Sequence, residues 1–138
     1  MTEKLNRIII FTLCVLLLSF AIPNTQCDLF KNGRFHYYSK DSKAHYVVIR
    51  KDSLQSEIDT KTGDTSFWKI KWLSNCEFHC SYISGTKNRS KEDQDFYEKS
   101  TLQFSILQTS TRYYVYDALF KSGLFTRQFN DTMWVSEK

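Results

Sequence analysis

Proline is almost missing from this sequence. The one proline is Pro23, so no later segment contains a residue that is unable to donate a backbone hydrogen bond. Helical periodicity is also scarce after residue 26, whereas short alternating stretches rich in Tyr, Phe, Trp, Val, Ile and Thr recur. These absences favour an antiparallel sheet whose strands pair along their whole length.

A membrane-spanning run of apolar residues is missing too. The apolar run from Ile8 to Ile22 has 15 residues, whereas a helix needs roughly 20 to cross the hydrocarbon core. Lys4 and Arg7 precede this run. The arrangement predicts a secretory signal peptide over residues 1–26, with an uncleaved anchor as the alternative. Residues 27–138 then form one domain.

Cys27 follows the leader directly and has a second interpretation. It could be the lipid-modified first residue of a lipoprotein. The preceding Asn24-Thr25-Gln26 lacks the aliphatic and small residues that a lipoprotein peptidase prefers. We therefore expect a secreted or periplasmic protein, with a membrane-anchored lipoprotein as the alternative. Membrane contact would arise only from the leader or from lipidation.

The sequence also lacks the signatures of an enzyme or of a nucleic-acid-binding protein. It contains no G-x-S-x-G elbow for a nucleophile, and a net charge of +4 is too small to indicate nucleic acid. His36, His45 and His79 each stand in aromatic or apolar strands, where a partly buried structural histidine is the expected role. We expect no enzymatic activity and no cofactor.

Strands are predicted from alternation with a period of two. In Trp68-Lys69-Ile70-Lys71-Trp72, apolar residues alternate with lysines, which indicates one buried and one solvated face. Lys61-Thr62-Gly63-Asp64 and Lys121-Ser122-Gly123 have the composition of hairpin turns. The pattern predicts eight strands near residues 34–39, 44–51, 54–60, 65–73, 76–84, 100–109, 111–120 and 124–136.

The predicted fold class is all-β, with one face of the sheet buried. About eight meandering strands bury that face by curling into a small lipocalin-like barrel, preceded by the signal-peptide helix. A half-open roll or a sandwich is the alternative. The polar segment 85–100 is expected to be either a mobile loop or a turn of surface helix.

Three cysteines remain after the leader, which allows one disulfide and one free thiol. Cys76 and Cys80 are four apart in a predicted strand, about 13 Å between Cα atoms, which is too far for a bridge. We predict a disulfide between Cys27 and Cys76, with Cys27–Cys80 as the alternative. A strand also turns His79 away from both cysteines, so no metal site is expected in this run.

Aromatic residues exceed what a small core requires, with 11 Phe, 8 Tyr and 3 Trp. They either fill the core or line a pocket for an apolar ligand. Strand parity selects seven candidates for the pocket lining: Trp68, Trp72, Phe78, Tyr82, Phe104, Tyr114 and Tyr116.

Several segments carry a resemblance to known proteins. The stretch from Phe30 to Tyr38, the run from Val48 to Thr65 with its R-x-D-S-x-Q pattern, the segment from Trp68 to Phe78 and the closing DTMWV resemble a group of small exported bacterial proteins of unassigned function. Some of these carry a topoisomerase-subunit name, which a short chain with a leader does not support. Gly33-Arg34-Phe35 is similar to the G-x-W of lipocalins and related calycins, which implies a barrel.

The function expected from the sequence is binding without catalysis. The leading hypothesis is an exported β-barrel that binds a small apolar ligand or serves as an envelope binding module. The alternative is a structural or protein-interaction domain with a filled core, which uses a strand edge or the 85–100 segment to contact a partner.

Overall fold

The computed structural model describes residues 25–137, and nearly all of the predicted signal peptide lies outside this range. Eight antiparallel strands form a closed barrel in which neighbours follow chain order and β8 pairs with β1. The closed barrel confirms the predicted fold class. The strands are β1 (Gly33–Tyr38), β2 (His45–Lys51), β3 (Leu54–Asp59), β4 (Thr65–Trp72), β5 (Glu77–Gly85), β6 (Ser100–Thr109), β7 (Tyr113–Ser122) and β8 (Phe125–Trp134).

Alternation along the strands builds the core. In β4, Trp68 and Ile70 are buried while Lys69 and Lys71 are exposed, as the period of two predicts. Gly63 and Gly123 adopt positive φ angles of 77° and 58° in the two hairpin turns that the sequence indicated.

The segment between β5 and β6 contains a helix rather than only a loop. Helix α1 (Lys91–Glu98) begins at Ser90, whose hydroxyl accepts a hydrogen bond from the Asp93 amide at 3.1 Å. At its other end, the Phe96 carbonyl accepts hydrogen bonds from the hydroxyls of Ser100 and Ser122. The helix is thereby fixed to the barrel rim where β6 begins and β7 ends.

The opposite end of the barrel is closed by the N-terminal segment. A 3-10 helix (Cys27–Phe30) lies there, with Cys27 and Phe30 buried. Cys27 forms the predicted disulfide with Cys76, which immediately precedes β5, and their Cα atoms are 5.2 Å apart. Cys80 is free and buried in the core.

Among residues 25–137, no helix is long and apolar enough to span a membrane.

Candidate ligand pocket at the barrel mouth

The closed end of the barrel interior is packed around a buried arginine. Arg50, on β2, is only 2% exposed, and its guanidinium carbon lies 4.6 Å from the ring centroid of Phe78, 5.3 Å from that of Phe35 and 5.5 Å from that of Tyr114. Phe30 of the 3-10 helix completes this cluster, with its ring centroid 4.9 Å from that of Tyr114. The cation is therefore held among aromatic faces that attract it.

A hydrogen-bonded chain leads from this arginine towards the other end of the barrel. Arg50 donates through Nη1 to the Phe30 carbonyl at 3.1 Å and through Nε to Oε1 of Gln55 at 2.7 Å. Gln55, the cross-strand partner of Arg50 on β3, donates in turn to Oε1 of Glu57 at 2.7 Å. Gln55 and Glu57 are two apart on a strand, so both point inward.

Buried polar atoms near the closed end lack a hydrogen-bond partner of normal geometry among the residues that the structure describes. They include Nη2 of Arg50, the hydroxyl of Tyr114 and Nε1 of Trp72. Burial raises the pKa of the Tyr114 hydroxyl, so it stays neutral. This part of the interior is packed with buried side chains.

The mouth of the barrel, in contrast, contains a cavity of about 290 Å³. It opens between the β1–β2 loop, the β3–β4 turn and the segment that carries α1. Residues from β1 to β4 and from the α1 segment line it: Tyr37, Ser39, Tyr46, Glu57, Asp59, Asp64, Ser66, Trp68, Lys87, Arg89 and Tyr97.

Aromatic rings form the walls of this mouth pocket. Tyr37 and Tyr46 pair across β1 and β2, with ring centroids 6.0 Å apart and planes 23° from parallel. Trp68 meets Tyr82 edge to face at 5.3 Å, and Tyr82 in turn contacts Tyr97 of α1 at 5.5 Å. Desolvation, with Asp131 near Tyr37 and Asp59 near Tyr46, raises the pKa of both Tyr37 and Tyr46, so their hydroxyls remain protonated.

Arg89 covers one side of the mouth. Its guanidinium carbon is 4.2 Å from the Tyr97 ring centroid, and its Nη1 donates to the Tyr82 hydroxyl at 3.1 Å. A Cβ atom at position 85 would lie 2.7 Å from that hydroxyl and 2.8 Å from Nη1, so Gly85 is what allows the contact. Arg89 is thus held in place by Tyr82 and Tyr97.

Glu57 is the acidic lining residue that lies furthest from the β3–β4 turn. Burial raises the pKa of its carboxyl, although the hydrogen bond from Gln55, the charge of Arg50 and the nearby indole of Trp68 oppose that shift. Nε1 of Trp68 is buried without a hydrogen-bond partner of normal geometry among residues 25–137. The indole N–H of Trp68, a donor, and the carboxylate of Glu57, an acceptor, therefore face the same space at the floor of the pocket.

The seven residues chosen from the sequence divide between pocket and core. Trp68 lines the mouth pocket, and Tyr82 lies beside it under Arg89. Trp72 lies near the closed end, 4.6 Å from Phe78 between ring centroids, with the Lys31 ammonium 5.3 Å from its ring. The remaining members are buried in the core: Phe78, Phe104, Tyr114 and Tyr116.

The pocket residues that the sequence analysis did not select are mainly polar. On the strands, alternation indicates that Glu57 and Tyr37 face inward, because Glu57 follows Gln55 by two and Tyr37 follows Phe35 by two. The seven residues predicted from the sequence are all aromatic and lie after position 67, so neither of these is among them. Arg50 and Gln55 are also the two ends of the R-x-D-S-x-Q pattern, which the β2–β3 turn folds into a cross-strand pair.

A larger hollow of about 590 Å³ lies outside the barrel, between α1 and the β7–β8 turn, and is lined by residues such as Lys91, Phe96 and Gly123. It is a shallow surface feature, and the buried polar residue in its lining, Ser122, already donates its hydroxyl to the Phe96 carbonyl. The mouth pocket is the better candidate, because aromatic walls and a few convergent polar groups are typical of ligand sites.

Comparisons with models of protein families, with curated proteins and with solved structures found no match for this chain.

Proposed function

We propose that this protein binds a small ligand in the mouth of its β-barrel and performs no chemistry on it. The observation that carries the proposal is the cavity of about 290 Å³ inside the barrel rim, with aromatic walls and with Glu57 at its floor. Ligand pockets usually measure roughly 300 to 1,000 Å³, so the ligand must be small.

The polar groups of the pocket narrow the ligand class. Arg89 is already engaged with Tyr82 and Tyr97, and Oδ1 of Asp59 accepts a hydrogen bond from the Lys61 amide in the β3–β4 turn. Glu57, by contrast, has one oxygen bonded to Gln55 and lines the pocket. A purely apolar ligand would displace water from the other carboxylate oxygen without donating a hydrogen bond to it, which is unfavourable.

The ligand that fits these groups is therefore amphipathic rather than wholly apolar. Its flat apolar or aromatic part would lie between the Tyr37–Tyr46 pair and Trp68. A hydroxyl or ammonium group at one end would donate a hydrogen bond to Glu57.

We further propose that the protein is exported and acts outside the cytoplasm. The Cys27–Cys76 disulfide supports this location, because disulfides persist in oxidising compartments.

A matched series of three probes tests the ligand class by NMR titration of the isotope-labelled protein. Phenethylamine, phenethyl alcohol and phenylacetate share one ring and differ in the terminal group. The amine and the alcohol should shift amide signals around the mouth pocket, because each can donate to Glu57. Phenylacetate should bind at least about tenfold more weakly, because it brings a second carboxylate.

Two tyrosine variants serve as a matched pair for this titration. Tyr46→Ala removes a pocket wall and should weaken binding of the amine, whereas Tyr113→Ala alters a tyrosine that pairs with Trp134 on the outer face and should leave binding unchanged. Equal loss in both variants, or no shift around the mouth with any probe, would contradict the proposal. The second result would favour the interaction-domain alternative.

A further inference from the structure

Two histidines lie side by side on the outer face of the barrel. His36, on β1, stands between Phe35, which is in the core, and Tyr37, which lines the mouth pocket, so its own side chain points outward. His45, at the start of β2, pairs with Tyr38 and lies on the same face. Nδ1 of His36 is 3.0 Å from Nε2 of His45.

A carboxylate joins this pair because the barrel closes. β8 pairs with β1 through Trp134 and His36, which brings the segment after β8 over the two histidines. One ligand atom from each of His36, His45 and Glu137 lies within 4.8 Å of the others. The three side chains come from the first two strands and the end of the chain, so no local sequence motif indicates them.

We propose that His36, His45 and Glu137 bind one divalent transition-metal ion, with Zn²⁺ as the best fit. Zinc binds imidazole nitrogens and carboxylate oxygens at about 2.0–2.2 Å, which places two ligands of a tetrahedral ion about 3.3 Å apart. The two ring nitrogens at 3.0 Å need to separate by only a few tenths of an ångström. Glu137 is exposed, so its side chain can swing inward.

The donor set determines the metals that this site accepts. Imidazole favours zinc, copper and nickel, whereas magnesium and calcium require more oxygen ligands. Three protein ligands leave a fourth position for water or for a small external ligand. The sequence predicts no metal site; the Cys76–Cys80 run, which has the residue types of one, shares no residue with these three.

The site also connects metal binding to the fold. Its ligands meet only when β8 lies against β1, a seam of two paired residues on each strand. A metal that binds only the closed barrel stabilises it by mass action. Zinc should therefore raise the melting temperature of the protein.

Calorimetric titration of the untagged protein with Zn²⁺ tests the site. We expect one ion per chain, with affinity lowered at least about tenfold in His45→Gln and in Glu137→Gln, since loss of even an outer-shell partner costs 10- to 100-fold. His79→Gln is the matched control and should bind as the unaltered protein does, because this third histidine lies on β5. Neither Mg²⁺ nor Ca²⁺ should compete.

A second measurement avoids reliance on variants that fail to fold. Electron paramagnetic resonance of the unaltered protein with one equivalent of Cu²⁺ should show coupling to two imidazole nitrogens, and His45→Gln should show one. Absence of zinc binding by the unaltered protein would overturn the proposal. So would equal zinc affinity in His45→Gln, or copper coupling that this variant leaves unchanged.

Discussion

The two ends of this barrel interior contain similar side chains but differ in how space and charge are distributed. At the closed end, the guanidinium of Arg50 is surrounded by aromatic rings and hydrogen-bonded to Phe30 and Gln55, so the volume is filled. At the mouth, Glu57 and Arg89 border a hollow of about 290 Å³. A barrel of eight strands is just wide enough for either outcome. One end is therefore packed as a core, whereas the other leaves the space that the proposed ligand would occupy.

The difference between the two ends is clearest at Arg50 and Arg89. Both lie against aromatic rings, at 4.6 Å from Phe78 for Arg50 and 4.2 Å from Tyr97 for Arg89. Arg50 is buried, whereas Arg89 is on the rim of the pocket. Burial multiplies the cost of removing a charged hydrogen-bonding group, so the same substitution should have very different effects at the two ends.

The largest expected effect comes from Arg50→Ala. The change leaves Gln55 and the Phe30 carbonyl without their donor and opens a cavity among the rings. The free energy of unfolding in urea should fall by about 3–5 kcal/mol. Arg34→Ala, at an exposed arginine on β1, is the control and should change it by less than about 0.5 kcal/mol. Similar losses in both variants would contradict the role assigned to Arg50.

Loss of the disulfide should be the next largest effect. Cys27 and Cys76 are 49 residues apart, and their bond fixes the 3-10 helix over the closed end. The double variant Cys27→Ser/Cys76→Ser should unfold about 2–4 kcal/mol more easily, because the unfolded chain gains freedom. Cys80→Ser changes the buried free cysteine and breaks no disulfide. It therefore serves as the control for replacing a cysteine by serine. Binding at the mouth should persist wherever the variant remains folded.

Glu57→Gln, unlike the two preceding changes, should raise the free energy of unfolding at neutral pH. Because the folded-state pKa of this carboxyl is raised, the folded protein holds the proton more tightly, and the free energy of unfolding declines as pH rises above the unfolded value near 4.5. The variant should remove this decline and be more stable at pH 7 by about 0.5–2 kcal/mol. It should also bind phenethylamine more weakly. Urea unfolding from pH 4 to pH 8 checks the sign, and an unchanged pH profile would contradict it.

Arg89→Ala should have the smallest effect on stability. The side chain contacts Tyr82 and Tyr97 at the rim, so its removal should cost less than about 1 kcal/mol of unfolding free energy. The mouth pocket should nevertheless change, because Tyr97 loses its stacked neighbour. Affinity for the aromatic probes should therefore fall while the urea midpoint hardly moves. A loss of stability as large as that of Arg50→Ala would remove the distinction between the two ends.

Most of the fold could be predicted because alternation and turn composition are local signals. Strand β1 was expected at 34–39 and occupies Gly33–Tyr38, and β5 was expected at 76–84 and occupies Glu77–Gly85. Helix α1 was only one of two expectations for its segment, since its short amphipathic pattern competes with a polar loop. Its capping by Ser90 and its anchoring through Phe96 depend on contacts that sequence periodicity does not report.

The position of the pocket could be predicted only in part. The alternation of side chains along a strand predicts which of them point inward. The depth of each side chain along the barrel axis depends on strand tilt and register. Trp68 and Tyr116 therefore looked equivalent, although one lines the mouth and the other lies in the core. The neighbourhood of His36 and Glu137 depends on closure of β8 onto β1, which is the longest-range strand pairing among residues 25–137.

Fluorine NMR of protein labelled with 5-fluorotryptophan is the most direct test of a ligand-binding mouth and a filled closed end. The chain has three tryptophans, with Trp68 at the mouth, Trp72 near the closed end and Trp134 paired with Tyr113 outside the core. On titration with phenethylamine, the Trp68 signal should move in a saturable manner while the Trp72 and Trp134 signals stay in place. A saturable shift of Trp72, or no shift of Trp68, would contradict the account.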